Sequence, residues 1–498
     1  MDIPAQVDPR VARYARARWS VVLLFALGCM LTLTYNGAFF DEGIYITAGI
    51  RTLEGHGRAD GYLTWFAGSL LWPVLAGIGY QLGGLVGTRV IAVLLGTVTL
   101  TAVGLAATNL FDAKAGFWTT LAFAVNGPFV AVARQGVYDG AALMGIAVAF
   151  WAITELARRD HRGWLLLVAA AYAFAVFSKY PTGLMILPLV ILLLHLRSER
   201  GLTDVPMLAF VGGAMGLAVF VPLRDQIGVF FDWRLQNRPG FGVPVSVIIF
   251  AIVYLSALPA ALALVGWLLS RDQRKVATIL IACLGIWPIY HILAQDPVGT
   301  NKHLVLGYLF AYPLIGVTLA RLWSSQRGTI LLRTSALIVT AGLAAAGFVQ
   351  ITQADQSFPN LTWPANYLAA RVSPGDTLLI NESWPITKVL YTERRIRTPW
   401  DVYDTYRVLT EPTAPDICDY DWVVDVQGSY RWPAEIQQAL EACTGYTRVY
   451  SHVSTIVNPG TDFAYIRYPV ETVIWQATSQ RPAEASEPPA AQAITEAP

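Results

Sequence analysis

The sequence predicts an α-helical polytopic membrane protein of about eleven transmembrane helices, followed by a C-terminal extracytoplasmic α/β domain. Two features of the composition favour this class. Of the 498 residues, 55% are hydrophobic and only 14% are charged, whereas soluble proteins carry about 25% charged residues. The charge is also unevenly divided, because residues 350–498 hold 10 basic and 18 acidic side chains while the preceding residues have a basic excess. The basic residues are scattered between apolar runs, which argues against nucleic-acid binding.

Twelve apolar runs lie between Trp19 and Phe348, and each approaches the ~20 residues that a helix needs to cross a hydrocarbon core. The runs are 19–35, 64–82, 85–108, 116–133, 140–157, 163–178, 181–196, 203–223, 245–269, 276–294, 303–320 and 329–348. The first run follows an Arg-rich segment, residues 1–18, without a small-residue cleavage site. We therefore expect a retained anchor and a cytoplasmic N-terminus.

Four short basic loops decide which runs cross the membrane, because loops rich in Lys and Arg stay in the cytoplasm. The loops are 158–162, 197–200, 271–275 and 321–327. If all twelve runs crossed, the N-terminus would be cytoplasmic and all four loops would lie outside. One early run must therefore not cross. We expect it to be 64–82, which mixes Trp65, Trp72 and Tyr80 with several glycines, as interfacial or re-entrant segments do.

This choice leaves eleven spans within residues 19–348 and an interfacial helix inside a first outer loop of residues 36–84. A competing choice makes 116–133 re-entrant instead, because it contains Asn126-Gly127-Pro128. The basic loops predict a multi-pass protein of the plasma (inner) membrane whose C-terminal domain lies outside the cytoplasm.

The polar segment 350–475 alternates apolar and polar residues between turn signals, which predicts a small α/β domain. Strands are expected at 376–380, 422–426, 446–453 and 463–468, and helices at 364–371, 385–391 and 433–443. Residues 479–498 are rich in Pro, Ala and Glu, a composition typical of disorder. Cys418 and Cys443 share this domain, and an oxidising compartment favours a disulfide between them over two free thiols.

Ionisable residues inside or at the ends of spans are costly to bury, so each is a candidate for function. In the eleven-span topology they gather on the outer side. They are Asp41, Glu42, Arg89, Arg134, Asp139, Lys179, Arg224, Asp225, Lys302 and His303. A rim that holds two adjacent carboxylates and several cations suits a site that binds an anionic lipid headgroup and removes a proton from a hydroxyl.

The acidic pair Asp41-Glu42 follows the first span. On a helical turn the two side chains point in different directions, so one can act as a base while the other orients substrate or binds a metal. A solvated pair in an exposed loop is the alternative. A divalent ion held by Asp41 with Glu54, His56 and Asp60 is left open, although no ligand spacing supports it.

The basic candidates each have two interpretations. Arg134 carries a planar guanidinium suited to phosphate, but it also suits an interfacial anchor that extends toward headgroups, as does Lys179. Arg224 begins a loop, 224–244, whose mixed charges and aromatic residues suit a position along the membrane surface. Lys302 and His303 open the span that follows Gly299, and a histidine there is more often a hydrogen-bonding residue than a metal ligand.

Several of these segments, taken in order, resemble the GT-C superfamily of glycosyltransferases, in particular the dolichyl-phosphate-mannose protein mannosyltransferases and lipid A aminoarabinose transferases. The resemblance covers roughly residues 15–320. The matching segments are the family's Asp-Glu-x-x-Tyr signature at Asp41 to Tyr45, its juxtamembrane helix at Trp72-Pro73, its outer connection ending in Asp at Arg134 to Asp139, its Ser-Lys before an apolar helix at Ser178-Lys179, and its Lys-x-x-x-Tyr-type helix start at Lys302 to Tyr308.

The resemblance implies a polyprenyl-phosphate sugar as donor, an acceptor hydroxyl on a protein, lipid or polysaccharide, and chemistry at the outer leaflet. By the same resemblance, Asp41 would deprotonate the acceptor and Glu42 would position the acceptor or a metal. Arg134 and Lys179, with Lys302 or Arg224, would neutralise the phosphate. Asp139, His303 and Tyr45 complete the expected substrate-binding set. No cofactor is implied beyond a divalent metal that the sequence leaves open.

Two other function classes also fit a protein of many spans. A secondary transporter or lipid flippase is one, but the two halves of the chain lack the inverted repeats typical of transporters. A membrane-anchored binding protein, in which the α/β domain captures a partner, is the other. The sugar, the prenyl carrier and the acceptor cannot be read from the sequence.

Overall fold

The computed structural model describes residues 9–56, 69, 71–236, 244–295, 299–324, 329–411, 413–427, 432–457 and 467–478. These residues divide into two compact units. The first extends to Ser357 and the second begins at Phe358. The predicted disordered tail, 479–498, lies outside the described residues.

The described part of the first unit is a bundle of thirteen α-helices. They are α1 (Pro9–Leu31), α2 (Phe40–Leu53), α3 (Leu71–Leu110), α4 (Ala113–Ala124), α5 (Gly127–Arg134), α6 (Tyr138–Arg159), α7 (Gly163–Ser178), α8 (Ile186–Leu196), α9 (Gly201–Gln236), α10 (Val245–Leu269), α11 (Arg274–Ala294), α12 (Thr300–Ser324) and α13 (Thr329–Asp355). Helix α1 begins at Pro9, so it includes much of the segment that was expected to be a cytoplasmic tail.

Eight of the described helices are long and apolar enough to cross a membrane, or nine if the bent pair α4 and α5 is one span. Two shorter apolar helices, Gly163–Ser178 and Tyr180–Leu196, lie at the remaining predicted runs. Together with the second unit described below, this architecture confirms the predicted class of a polytopic helical membrane protein with a C-terminal α/β domain.

Two breaks interrupt the early helices, at the two places where the sequence predicted a segment that does not cross. Gly83 and Gly84 have non-helical backbone angles inside α3, and Gly84 has φ +60°, which favours glycine. The run expected to be interfacial therefore continues as a separate helical segment from Leu71 to this break, and its first residues, 64–68, lie outside the described part. The second break is a 69° bend between α4 and α5, where Asn126 caps α5 by accepting a hydrogen bond from the Phe129 amide.

The bundle core is organised around α12, nearly all of whose residues are buried, including Tyr308 and Tyr312. Small residues allow close helix approach. A Cβ on Gly49 of α2 would stand 1.9 Å from the Pro73 carbonyl oxygen of α3, so only glycine permits this crossing. Helix α9, in contrast, leaves large apolar side chains such as Phe210 exposed, as a lipid-facing helix does.

The second unit is a five-stranded mixed sheet with four described helices. The elements are α14 (Thr362–Ala369), β1 (Leu378–Ile380), α15 (Ser383–Thr392), β2 (Val402–Tyr403), α16 (Thr405–Thr410), β3 (Trp422–Val426), α17 (Ala434–Ala442), β4 (Tyr446–Val457) and β5 (Arg467–Ala477). The strand order is β2-β1-β3-β5-β4. Strand β1 pairs parallel with β2 and β3, and β3 pairs antiparallel with β5, with Val424 opposite Ile474.

Sequence and structure differ mainly in two strands of this sheet, β2 and β5. Strand β2 was not predicted because it is only two residues long. The last strand was expected at 463–468, of which residues 463–466 lie outside the described part, and the described strand β5 runs from Arg467 to Ala477. Cys418 and Cys443 form a disulfide with their Cα atoms 5.5 Å apart. This bond ties the turn before β3 to the end of α17.

Candidate active site

Most of the ionisable residues singled out in the sequence lie at one end of the helical bundle. Helices α2, α6 and α12 begin there, and α1, α7 and α13 end there. Because neighbouring helices run in opposite directions, residues far apart in sequence meet at this end. The charged side chains there form ion pairs that differ sharply in burial.

The most accessible pair joins the first turn of α2 to the first turn of α12. Lys302 Nζ donates a hydrogen bond to Asp41 Oδ2 at 2.7 Å. The Asp41 side chain is 30% exposed and that of Lys302 is 12% exposed. Lys302 Nζ also lies 4.7 Å from the ring centroid of Phe39, a cation–π contact that helps to hold the ammonium in place. A carboxylate that reaches solvent therefore stands beside a fixed cation.

A second pair lies deeper in the same cluster. Lys179, which follows α7, forms an ion pair with Asp139 in the first turn of α6, and both side chains are buried. Lys302 lies within electrostatic range of Asp139 as well as of Asp41. The Lys179 ammonium also faces the Tyr138 ring at 5.0 Å, and that ring packs on Tyr45 with centroids 4.9 Å apart. The structure therefore brings Tyr45, Asp139, Lys179 and Lys302 together around Asp41.

His303 follows Lys302 in the first turn of α12. Its ring stacks on Trp287 and on His291, with centroids 4.6 and 5.0 Å away, and its Nδ1 lies 3.0 Å from His291 Nε2. His303 also lies within electrostatic range of the Lys179 and Lys302 ammonium groups. This environment suits a hydrogen-bonding residue of the site wall.

Glu42, next to the accessible Asp41, belongs to a fully buried ion pair. Arg89 of α3 binds both of its carboxylate oxygens, from Nε at 2.9 Å and from Nη2 at 2.8 Å. The backbone amides of Phe39 and Gly136 donate to the same carboxylate at 2.8 and 2.7 Å. Burial alone would raise the pKa of Glu42, but Arg89 and the two amides lower that pKa below its ordinary value.

The same arginine also fixes the loop that precedes α2. Its remaining N–H groups donate to the backbone carbonyls of Leu33, Asn36 and Gly37 at 2.7 to 3.0 Å. All five N–H donors of Arg89 are thus used. The sequence assigned Glu42 to the acceptor or a metal, but four protein hydrogen bonds occupy its oxygens. In this structure Glu42 instead anchors the turn that carries Asp41.

Arg134 is also engaged by protein. Its Nη2 group donates to both carboxylate oxygens of Asp355 at 2.6 Å, and its guanidinium faces the ring of Tyr35 at 4.8 Å. The guanidinium of Arg89 lies 4.2 Å from the centroid of the same ring. The phosphate-binding role expected for Arg134 thus has to compete with a bidentate carboxylate.

Two further sets of predicted site residues are not part of this cluster. Arg224 lies in α9 with its side chain 71% exposed and pairs with Asp225, and no hydrogen bond or ion pair of the described residues links it to Asp41. Of the residues considered as metal ligands, His56 Nε2 lies 3.9 Å from Glu54 Oε2, and Asp60 lies outside the described residues. Across the described ranges, no three His, Cys, Asp or Glu side chains converge on a common point.

Sequence reasoning missed two members of the charged network. Asp355 was not singled out because it follows the last apolar run, although a charge at the end of a span is itself a signal. His291 was overlooked because it lies near the end of α11, a helix that carries no other charged residue after its first turn. Neither partner could be assigned without the fold, since Arg134 and Asp355 are separated by 221 positions.

Comparison with known proteins agrees with this architecture. Residues 69–224 match a family model described as dolichyl-phosphate-mannose-protein mannosyltransferase. A similar solved structure is ArnT from Cupriavidus metallidurans bound to undecaprenyl phosphate, with a TM-score of 0.57, 16% identity, and coverage of 91% of this chain and 98% of that chain. The Archaeoglobus fulgidus oligosaccharyltransferase has a TM-score of 0.53 and 12% identity, with coverage of 82% of this chain and 69% of that chain. The arabinofuranosyltransferase AftD from Mycobacteria has a TM-score of 0.54 and 15% identity, with coverage of 92% of this chain and 40% of that chain.

No curated protein sequence matches the chain. The chain thus has the fold of these membrane glycosyltransferases, and its residues 69–224 match the mannosyltransferase family model.

Proposed function

We propose that this enzyme transfers a sugar from a polyprenyl-phosphate donor to an acceptor hydroxyl at the outer face of the membrane, with Asp41 as the general base. The observation that carries the proposal is the contact between Asp41 and Lys302, which sets a partly exposed carboxylate 2.7 Å from a fixed ammonium. A proton acceptor and a phosphate-binding cation therefore stand side by side.

The reaction is a single displacement. The acceptor hydroxyl gives its proton to Asp41 while its oxygen bonds to the anomeric carbon, and the bond from that carbon to the phosphate oxygen breaks. The electron pair leaves with the polyprenyl phosphate, and the anomeric configuration inverts. A phosphate is already a weakly basic leaving group, so it needs charge neutralisation more than it needs a general acid.

Lys302 and Lys179 are the cations suited to that task. Both ammonium groups lie in the Asp41 cluster, and each is also held against an aromatic ring. A site with little water strengthens their attraction for phosphate relative to bulk solvent. The donor class is supported by the similar structures, since the ArnT structure holds undecaprenyl phosphate and an Archaeoglobus fulgidus oligosaccharyltransferase structure holds dolichol phosphate.

The outer location rests on charge distribution. Helix α6 begins beside Asp139 in the cluster and ends at Arg158 and Arg159, within one of the basic loops that favour the cytoplasmic side. The cluster then lies at the opposite, outer end. In this proposal the second unit also lies outside the cytoplasm, which is supported by the disulfide between Cys418 and Cys443.

Transfer from defined undecaprenyl-phosphate sugars by the purified protein in nanodiscs tests the proposal. We expect at least one of these donors to transfer its sugar and to release undecaprenyl phosphate. We also expect Asp41→Asn to lower the transfer rate about 10²-fold or more while the protein stays folded. The matched control is Asp272→Asn, which changes an exposed carboxylate on the turn between α10 and α11. Full activity in Asp41→Asn, or movement of the lipid across the bilayer without sugar transfer, would exclude this function.

A further inference from the structure

The charged cluster around Asp41 is electrically balanced in a way that a phosphate-binding site should not be. Lys302 is paired with Asp41, and Lys179 is paired with Asp139. No net positive charge from these four side chains is therefore available to the donor. An incoming phosphate must either take a lysine away from its carboxylate or bind against two negative charges.

We propose, on the basis of the function proposed above, that donor binding exchanges the partner of Lys302: the lipid phosphate replaces Asp41 on the ammonium and releases Asp41 to act as the base. The two events are then one switch. In this structure Lys302 holds Asp41, and donor binding frees Asp41 for the acceptor hydroxyl.

Burial indicates which pair exchanges. The Asp41 carboxylate is 30% exposed, so it can move into solvent or toward an acceptor at small desolvation cost. Asp139 and Lys179 are both buried, and separating them would leave an uncompensated buried charge. The Lys179–Asp139 pair therefore stays intact, and the Lys302–Asp41 pair opens.

The surroundings of Lys302 support the exchange. Its contact with Phe39 does not depend on Asp41, so the ammonium stays in position when the carboxylate leaves. The donor phosphate is a diester whose single negative charge is shared by two non-bridging oxygens, so it can accept the same charge-assisted hydrogen bonds from the ammonium as a carboxylate does. Asp41, in turn, sits one residue before Glu42, whose four hydrogen bonds keep the backbone of the turn fixed. The side chain can thus swing while its backbone holds still.

The exchange couples base and donor. While Lys302 holds Oδ2, an acceptor hydroxyl or a water molecule must compete with the ammonium for that oxygen. The base becomes available only once the donor is in place, so the enzyme should follow an ordered mechanism in which the donor binds first.

The experiment is a titration of the purified full-length protein with undecaprenyl phosphate, the lipid product without its sugar, followed by native mass spectrometry. If Asp41 competes for Lys302, Asp41→Asn should bind this lipid about three- to tenfold more tightly than the wild type, although it is inactive in transfer. Asp41→Ser, which removes the carboxylate differently, should change binding in the same direction. Lys302→Gln should weaken binding, and the double variant should lose the gain.

The outcomes separate the two proposals. Binding that is unchanged or weaker in both Asp41 variants, with wild-type binding intact, would overturn the partner exchange and leave the proposed function standing. Absence of undecaprenyl phosphate binding to the wild type would overturn the donor assignment itself. Tighter binding in the control Asp272→Asn would show that the gain is a general charge effect and would also overturn the exchange.

Discussion

Replacing Glu42 with Gln tests the buried ion pair that holds the turn carrying Asp41. Arg89 and Glu42 have side chains that are 1% and 0% exposed, so the substitution leaves a guanidinium charge in the interior without its counter-ion. Removing one partner of a buried pair costs about 3–5 kcal/mol. The three backbone carbonyls that still accept from Arg89 place the expected loss toward the lower end of that range.

The assay is thermal unfolding of the full-length protein in detergent, followed by intrinsic tryptophan fluorescence. A loss of this size corresponds to a fall of about 5–10 °C in the unfolding midpoint. Arg89→Met and the double variant complete a mutant cycle. We expect the double variant to be more stable than the sum of the single losses predicts, because it buries no unpaired charge.

The matched control is Glu155→Gln in the same unit. Glu155 is also buried and pairs with Arg159 at 2.7 Å, but Arg159 is 64% exposed, so water can solvate the arginine after the substitution. We expect a loss below about 1 kcal/mol there. Equal midpoints for Glu42→Gln and Glu155→Gln would refute the claim that burial of the arginine, rather than loss of the carboxylate, sets the cost.

Two predictions concern the second unit, and native-state hydrogen exchange of β3 (Trp422–Val426) checks both. Cys443→Ser opens a loop of about 26 residues and should lower the local opening free energy by up to about 3.5 kcal/mol; wild type treated with reductant should behave alike, and no change in either would argue against a stabilising bond. Burial raises the pKa of Asp425, and hydrogen bonds from Gln427 and Asn381 offset this only in part. The folded state therefore holds the Asp425 proton more tightly, and the stabilisation is complete below the unfolded pKa of about 3.9 and is lost as the pH rises through the higher folded value. Asp425→Asn should accordingly stabilise β3 at pH 7 and lose this advantage in acid; an advantage that persists below that pKa would contradict the reasoning.

The fold class was largely predictable because the amino-acid composition of each segment by itself indicates a membrane helix. Apolar length identifies a span without any knowledge of its neighbours. The places of difficulty were also local, since Gly83-Gly84 and Asn126-Gly127-Pro128 carry backbone signals that mark a break but do not say how far the chain turns. The edge strand β2 was missed because two residues provide no periodicity.

The site was predictable only to the level of residue types on one side of the membrane. Which charges neutralise each other depends on helix packing, and pairs such as Glu42 with Arg89 are 47 positions apart. Neighbouring residues can also have opposite surroundings, as Asp41 and Glu42 do. The sequence correctly indicates that the two carboxylates diverge, but it cannot say that one of them meets a buried arginine.

Burial separates the charged residues at this end of the bundle into two groups with different physical roles. Glu42 with Arg89, and Arg134 with Asp355, form ion pairs that hold loops and helix ends together. The hydrogen-bonding capacity of Arg89 and Glu42 is already filled by protein, so these two groups gain little from a ligand. Asp41 and Lys302 keep part of their surface in solvent, so a ligand can replace one protein contact at modest cost. Catalysis in a low-dielectric site needs groups that are fixed in position and can still exchange partners. Of the charged pairs described at this end, the one between Asp41 and Lys302 best meets both conditions.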